Sequence, residues 1–397
     1  MRALFFNEGN LDSHVLGHGQ LDAALRAGLS EAQGVEARFA GLPPAGRFAR
    51  AAASRHVEPL ARLDLDLRAI RWHGVHSLRA RTALRRELQA WPADVVHVYS
   101  HAIALTMVGI MRSTPVVLST DTSIIDWSNM PGWRSTRRLK PVMMMPSRLL
   151  ERRALRNAAL VLARTAWTRR GLEREAPGVR VVEHHPGIDL DRYRPADRRE
   201  RPRPRVLFVG SRFVHKGGED LLAALEERLG RDVDLDLVTP AEVHERPGVT
   251  VHRLEPSDPR LLDLQQQADV CCLPTYGDTN PWSVLEAMAC GTPMVSTRIG
   301  GIPEMLDEGR AGVIVPYGDP RALGDALRSL LADPQRRSQL AGRARARCEE
   351  RYDSGRQLML LLEHLRAVSG GGEPGQGDPR RSGQALPADH DTHVVET

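Results

Sequence analysis

The feature that most constrains this chain is its rhythm. Short apolar runs alternate with longer segments whose apolar residues recur at helical spacing. Ala3–Phe6, Val95–Tyr99, Pro115–Ser119 and Val179–Val182 read as buried strands in the first half. Val206–Gly210, Val233–Val238, Val249–Leu254, Val270–Pro274, Met294–Thr297 and Gly312–Val315 do so in the second. Helical patterns fill the gaps: about Gln20–Glu31, then Gly218–Leu229, Asp258–Ala268, Ser283–Cys290, Arg321–Ala332 and Gln335–Arg351. Strands that alternate with helices form parallel sheets covered on both faces, so the expected class is α/β.

The chain has 397 residues, a length that suits two or three domains at about 150 residues each. The segment Asp197–Arg205 (DRRERPRPR) lacks apolar periodicity and reads as an exposed linker that halves the chain. From Ser369 to Thr397 the sequence is rich in Gly, Pro and charge, which predicts a disordered tail. Ligands of open α/β sheets bind beyond the carboxyl ends of the strands, so two such domains facing one another imply a cleft.

Charge narrows the partners. The formal net charge is +5, a mild basic excess that suits anionic ligands. Of 55 basic residues only Lys140 and Lys216 are lysine. Aromatic residues make up 4%, and no basic-aromatic stripe supports nucleic-acid binding. Cys271, Cys272, Cys290 and Cys348 form no Cys-x-x-Cys pair and read as small buried hydrophobes in a reduced compartment, not as metal ligands. No apolar run reaches the roughly 18 residues of a membrane span, and no leader pattern opens the chain. The cytoplasm is the expected location.

Three loops carry chemistry. The first lies in Leu273–Glu304, LPTYGDTNPWSVLEAMACGTPMVSTRIGGIPE. Here a strand ends, a polar loop follows and a helix starts near Ser283. Ser283 with Glu286 three residues on has the pattern of a capping box. The same loop amides and helix N-terminus can receive a phosphate, with Glu286 gripping a ribose. The second is Val206–Gly218, VLFVGSRFVHKGG, where a glycine turn at Gly210 leads into Arg212 and Lys216. Arginine suits bidentate phosphate recognition and lysine acts as a point charge. The third is His184–Pro195, HHPGIDLDRYRP, a turn ahead of the second half.

These motifs resemble the retaining family 4 glycosyltransferases, whose architecture, GT-B, sets two Rossmann-like domains across a cleft. Their signature is an acid, seven residues, a glutamate and then Ala-Met-Ala-x-Gly-x-Pro. It reads here as Asp278, seven residues, Glu286 and AMACGTP, with Gly300–Glu304 (GGIPE) matching the next element. Asp278 stands where the family has a glutamate. Gly187 and Asp189 match a segment at the domain crossing, with Tyr193 at its phenylalanine position. Asp94–His101 (DVVHVYSH) resembles an N-terminal strand of the family, with His101 at its end and His97 inside it as a structural residue.

The resemblance implies a nucleotide diphosphate sugar as donor, with no other cofactor and no essential metal. Glu286 would hold the ribose. Lys216, Arg212 and Gly210 would hold the diphosphate, and Asp278 would face the sugar, with Thr279, Asn280 and Ser283 completing that loop. Asp234 and Asp236 have Asp-x-Asp spacing but sit within a strand pattern. The acceptor would enter from the first domain, near His18, His101 and Asp121. Many relatives have a histidine where Asp121 stands, and a carboxylate there can accept from a sugar hydroxyl or steady charge at the anomeric carbon.

The implied division is an acceptor domain at 1–190, a donor domain at 191–352, a helix at 353–368 that returns to the first domain, and a tail at 369–397. Glycines 17 and 19, with His14 and His18, lie in the first strand-to-helix loop, where the family has a glycine-rich turn. Basic residues interleave with Met143–Met145, Leu149 and Leu150 in Trp133–Arg156, a pattern that suits docking on an anionic membrane and a lipid-linked acceptor. Two other readings fit the same motifs. One is a nucleotide-sugar epimerase or phosphorylase on this fold. The other is a non-catalytic nucleotide-sugar binder.

Overall fold

The computed structural model describes residues 1–9, 29, 34–55, 67–131, 140–244 and 246–370. The loop with His14, Gly17, His18 and Gly19, most of the helix expected at Gln20–Glu31, and the tail beyond residue 370 fall outside the described residues.

Two parallel six-stranded sheets organise the chain. The first contains β1 (Arg2–Asn7), β2 (Glu36–Gly41), β3 (Val95–Tyr99), β4 (Val116–Thr120), β5 (Leu160–Ala163) and β6 (Val181–Glu183), in the order β2-β1-β3-β4-β5-β6. The second contains β7 (Arg205–Val209), β8 (Asp234–Val238), β9 (Val249–His252), β10 (Val270–Leu273), β11 (Met294–Thr297) and β12 (Val313–Val315), in the order β12-β11-β10-β7-β8-β9. β2 and β5 are additions to the sequence reading. β2 (EARFAG) is only half-buried, so it lacks an apolar run, and β5 (LVLA) follows a helix so closely that its apolar residues merge with it.

Both faces of the first sheet are buried, as parallel strands require. Phe6, Val96, Val98 and Leu118 pack on one side. On the other, Phe5, Val95, Val117 and Leu162 meet Leu358, Leu361, Leu362 and Leu365. Those leucines belong to the last helix, Ser354–Ser369, so the C-terminal helix does return to the first domain. At about 1.5–3 kcal/mol per buried leucine, this helix is an integral layer of that domain.

The chain crosses between the domains twice, side by side. The Ile188 N–H donates to the Tyr352 carbonyl at 2.7 Å, and the Ser354 N–H donates to the Ile188 carbonyl at 3.0 Å. The charged segment expected to be the linker lies elsewhere. Arg199 pairs with Asp263 at 2.9 Å, and Arg198 donates to the Gly291 carbonyl at 3.0 Å. Its arginines find carbonyls and acids on the second domain, which periodicity alone does not reveal.

Candidate functional site

In the second domain the glycines of VHKGG bring the chain against the end of β10. Gly217 has φ +77°, and a Cβ there would lie 2.0 Å from the Pro274 carbonyl oxygen. Only glycine fits, and the turn delivers Lys216 to the loop after β10. There the Lys216 ammonium pairs with the Asp278 carboxylate. The two residues read from separate motifs thus form one ion pair. Burial, then the Arg212 charge, pushes the Lys216 ammonium down to about 8. The Asp278 carboxylate beside it acts in the opposite sense. Arg212 is exposed at the mouth of the same loop, and Gly210 is buried below it.

The loop after Asp278 joins the two halves. Thr279 Oγ1 donates to Asp121 Oδ2 at 2.7 Å, linking the loop after β10 to the residue that follows β4. The Gly301 N–H donates to the Thr279 carbonyl at 2.7 Å. Gly300 has φ +55°, and its Cβ would lie 2.3 Å from the Asp278 carbonyl oxygen. The GGIPE motif is therefore a backbone brace under the Asp278 loop. Asn280 Oδ1 is buried without a hydrogen-bond partner, an acceptor left open in this loop.

Ser283 and Glu286 do not form the expected capping box. The helix Trp282–Ala289 has Pro281 as its N-cap, with no side-chain cap, so Ser283 lies within the first turn. Proline at this place leaves no room for serine as the cap. Glu286 is buried and turned inward. Tyr193 Oη donates to Glu286 Oε1 at 3.3 Å, and Gln265 Nε2 donates to Oε2 at 2.6 Å. The tyrosine at the family's phenylalanine position thus contributes a hydroxyl that holds this carboxylate. Asp234 and Asp236 lie on β8, where Asp236 accepts from His252 at 2.7 Å and pairs with Arg205 at 2.9 Å.

In the first domain, neighbouring strands β1, β3 and β4 bring Glu8, His101 and Asp121 to one edge. His101 does not face an open cleft. Its Nδ1 meets Thr120 Oγ1 at 2.5 Å and its Nε2 meets Glu151 at 3.0 Å, all three residues being buried. The short helix after β3 turns the ring inward. Burial disfavours the charged ring, but the Glu151 hydrogen bond and charge, with Asp121 and Glu8, carry its pKa above the ordinary value. His97 is buried on β3, 2.7 Å from Ser119 Oγ, and burial holds it neutral with a pKa pushed down to about 3.

Sequence reasoning missed two groups. Burial pushes the Glu8 carboxyl up to about 7; His101 opposes that and Asp121 adds to it. Its signal was an acid directly after the first strand. Arg164 follows β5 and is 4% exposed, its guanidinium 4.8 Å over the Tyr99 ring. Its signal vanished with the unrecognised β5.

Comparison with known proteins gives the family. Residues 24–192 match the family described as Glycosyltransferase Family 4, and residues 203–333 match Glycosyl transferases group 1. The chain belongs to the group 1, family 4 glycosyltransferases. A D-inositol 3-phosphate glycosyltransferase 2 from Catenulispora acidiphila is 33% identical over 189 residues, 40% of this chain and 44% of the relative. A glycogen synthase from Mycobacterium tuberculosis is 28% identical over 281 residues, 67% of this chain and 66% of the relative. The chain spans about half the length of the first curated relatives it matches, 44% and 52% for two of them.

Solved structures share the fold. Sucrose-phosphate synthase from Thermosynechococcus elongatus superposes with a TM-score of 0.73 at 17% identity, covering 94% of this chain and 100% of that one. HepE from Anabaena, in complex with UDP-glucose, gives 0.62 at 16% identity, covering 92% and 100%. The GT-B architecture is thus the fold of this family member. Among the described residues no helix is long and apolar enough to cross a membrane.

Proposed function

We propose that this protein transfers a sugar from a nucleotide diphosphate sugar to an acceptor with retention of anomeric configuration. The observation that carries the proposal is the junction of the two halves. The Lys216–Asp278 pair and the Thr279–Asp121 hydrogen bond meet where the carboxyl ends of both sheets face each other. The donor lies on the second domain. Its diphosphate draws on Lys216, Arg212 and the Gly210 turn, so Lys216 exchanges Asp278 for phosphate and Asp278 is freed to face the sugar. Asn280 Oδ1 offers an open acceptor, and Thr279 and Ser283 line the loop. The ribose meets Glu286 in exchange for Tyr193 or Gln265. Basic side chains neutralise the diphosphate and no metal is required.

On the acceptor side Asp121 stands nearest the transfer point. His101, held between Thr120 and Glu151, acts as a buried charge behind it. Closure of the domains excludes water that would otherwise hydrolyse the donor. A peripheral contact with an anionic membrane is the second element of the proposal. Val142, Met145 and Leu149 are exposed on the helix Lys140–Asn157 together with Arg153 and Arg156. A lipid-linked acceptor would then reach the cleft from that side.

The test is incubation with UDP-, GDP-, ADP- and dTDP-sugars, with and without candidate acceptors, followed by NMR of the product. Sugar transferred, or slowly released to water, with the donor's anomeric configuration supports the reading. Sugar epimerised with no acceptor present, or no turnover of any donor, contradicts it.

A further inference from the structure

Glu151 is a buried acid that no motif of the sequence singled out. It lies on the helix Lys140–Asn157 and is closed to solvent. Its Oε1 meets two groups: the Ile124 N–H donates to it at 2.9 Å, and His101 Nε2 lies 3.0 Å away. The hydrogens on His101 follow from its neighbours. The Thr120 hydroxyl donates to the Thr122 carbonyl at 2.9 Å, so Thr120 Oγ1 is left as an acceptor for His101 Nδ1. Nε2 faces a carboxylate oxygen, which a ring lone pair would repel. Both nitrogens therefore carry hydrogen, and the ring is an imidazolium paired with Glu151 in a buried site.

These contacts bracket the turn that carries Asp121. Glu151 holds the Ile124 N–H at the far end, where the helix Ile124–Ser128 begins. Through His101 it holds Thr120 at the near end. Between them, Thr168 Oγ1 donates to the Asp121 carbonyl at 2.7 Å. The backbone of Asp121 is thereby fixed while its carboxylate reaches Thr279. The imidazolium feels the charges of Glu8 after β1, Asp121 after β4 and Glu151 on its helix. His73, on the helix Arg68–Ala90, is also near and is held neutral, by burial first. Removing one partner of a buried ion pair leaves the other uncompensated, so the charge on His101 depends on Glu151.

We infer that Glu151 is a positioning residue for transfer, acting through His101 to hold the Thr120–Ile124 turn and to keep a positive charge behind Asp121. The inference rests on the transferase reading for its kinetic consequence, but the link from Glu151 to His101 is testable without turnover. Glu151→Gln keeps an acceptor for the Ile124 N–H and removes the charge. His101→Gln keeps a side-chain donor and is neutral at every pH. Two measurements are made on the full chain. One is titration of the His101 ring by NMR with labelled histidine, assigned with His101→Gln. The other is nucleotide release from the donor that turns over, at pH 6 and pH 8, each variant being compared with wild type at the same pH because Glu8 titrates in this range.

In Glu151→Gln the His101 ring should titrate about one pH unit or more below wild type. At pH 8 its kcat should fall about tenfold or more, with the donor KM within about twofold. The loss should shrink several-fold at pH 6, where the ring regains its proton. His101→Gln should lose as much at both pH values. An unchanged His101 titration in Glu151→Gln, or a kcat at pH 8 within about threefold of wild type, overturns the inference. So does an equal loss at both pH values in Glu151→Gln, which would mark Glu151 as a structural brace alone. Should Glu151→Gln fail to fold, His101→Gln decides, and a kcat within about threefold of wild type at pH 8 overturns the inference. If wild type turns over no donor, the transferase reading fails instead, and the NMR titration still decides whether Glu151 sets the charge of His101.

Discussion

Each domain is built on a parallel six-stranded sheet, with a different strand order in each, and the two differ in how their sheet ends are built. In the second, glycines pressed against carbonyls bring loops together, and one ion pair, Lys216–Asp278, sits between them. In the first, the strand ends carry ionisable side chains, Glu8, His101, Asp121 and Arg164, and burial raises the Glu8 carboxyl to about 7. On the proposed reading, the fixed backbone of the second domain would serve a diphosphate, which is the same in every nucleotide sugar, and the side-chain charges of the first would meet an acceptor, which varies.

Changes on the donor side should act on turnover first. Lys216→Ala should lower kcat about 100-fold, as for loss of one group that stabilises developing charge, and Asp278→Asn should fall in the same range. Steady-state rates with the working donor decide this; an effect below about threefold would remove the pair from the mechanism. The backbone cradle itself is broken by Gly217→Ala. A Cβ at φ +77° against the Pro274 carbonyl should destabilise by at least about 2 kcal/mol and lower Tm by about 5 °C or more. Circular dichroism melting tests it, and an unchanged Tm would show that the loop yields.

The acceptor side should respond to pH. Glu8 titrates at about 7 in the folded protein, above its ordinary range. The neutral form is therefore favoured on folding, and a penalty grows as pH rises through 7. Glu8→Gln removes that penalty: its Tm should exceed the wild type by a few degrees at pH 8.5 and match it at about pH 4, below the ordinary carboxylate value. Equal melting at both values would mean that Glu8 is well solvated. The smallest effect is expected from Tyr193→Phe, which deletes one hydrogen bond to buried Glu286 and should destabilise by about 1 kcal/mol by urea unfolding.

Much of the donor half was legible because its motifs are backbone constraints written in glycine and proline. The strands β7 to β12 followed from their apolar runs, and the Asp278 loop from such signals. Even there the sequence misled at Ser283, since Pro281 takes the N-cap, and it could not show that Glu286 turns inward to Tyr193. The acceptor half was harder for a physical reason. Its site depends on which side chains three adjacent strands place together, and that is long-range information. His101 looked cleft-facing because it ends a strand, yet Thr120 and Glu151 draw it in. Glu8 and Arg164 lie in no motif, and their environments exist only after folding.

The central claim is that a nucleotide diphosphate occupies the second domain against Lys216. Isothermal titration of UDP, GDP, ADP and dTDP into wild type and Lys216→Ala tests it most directly. The account predicts that one of them binds wild type at micromolar to submillimolar concentration and binds Lys216→Ala at least tenfold more weakly. Equal binding to both proteins, or no binding of any nucleotide to wild type, would contradict it.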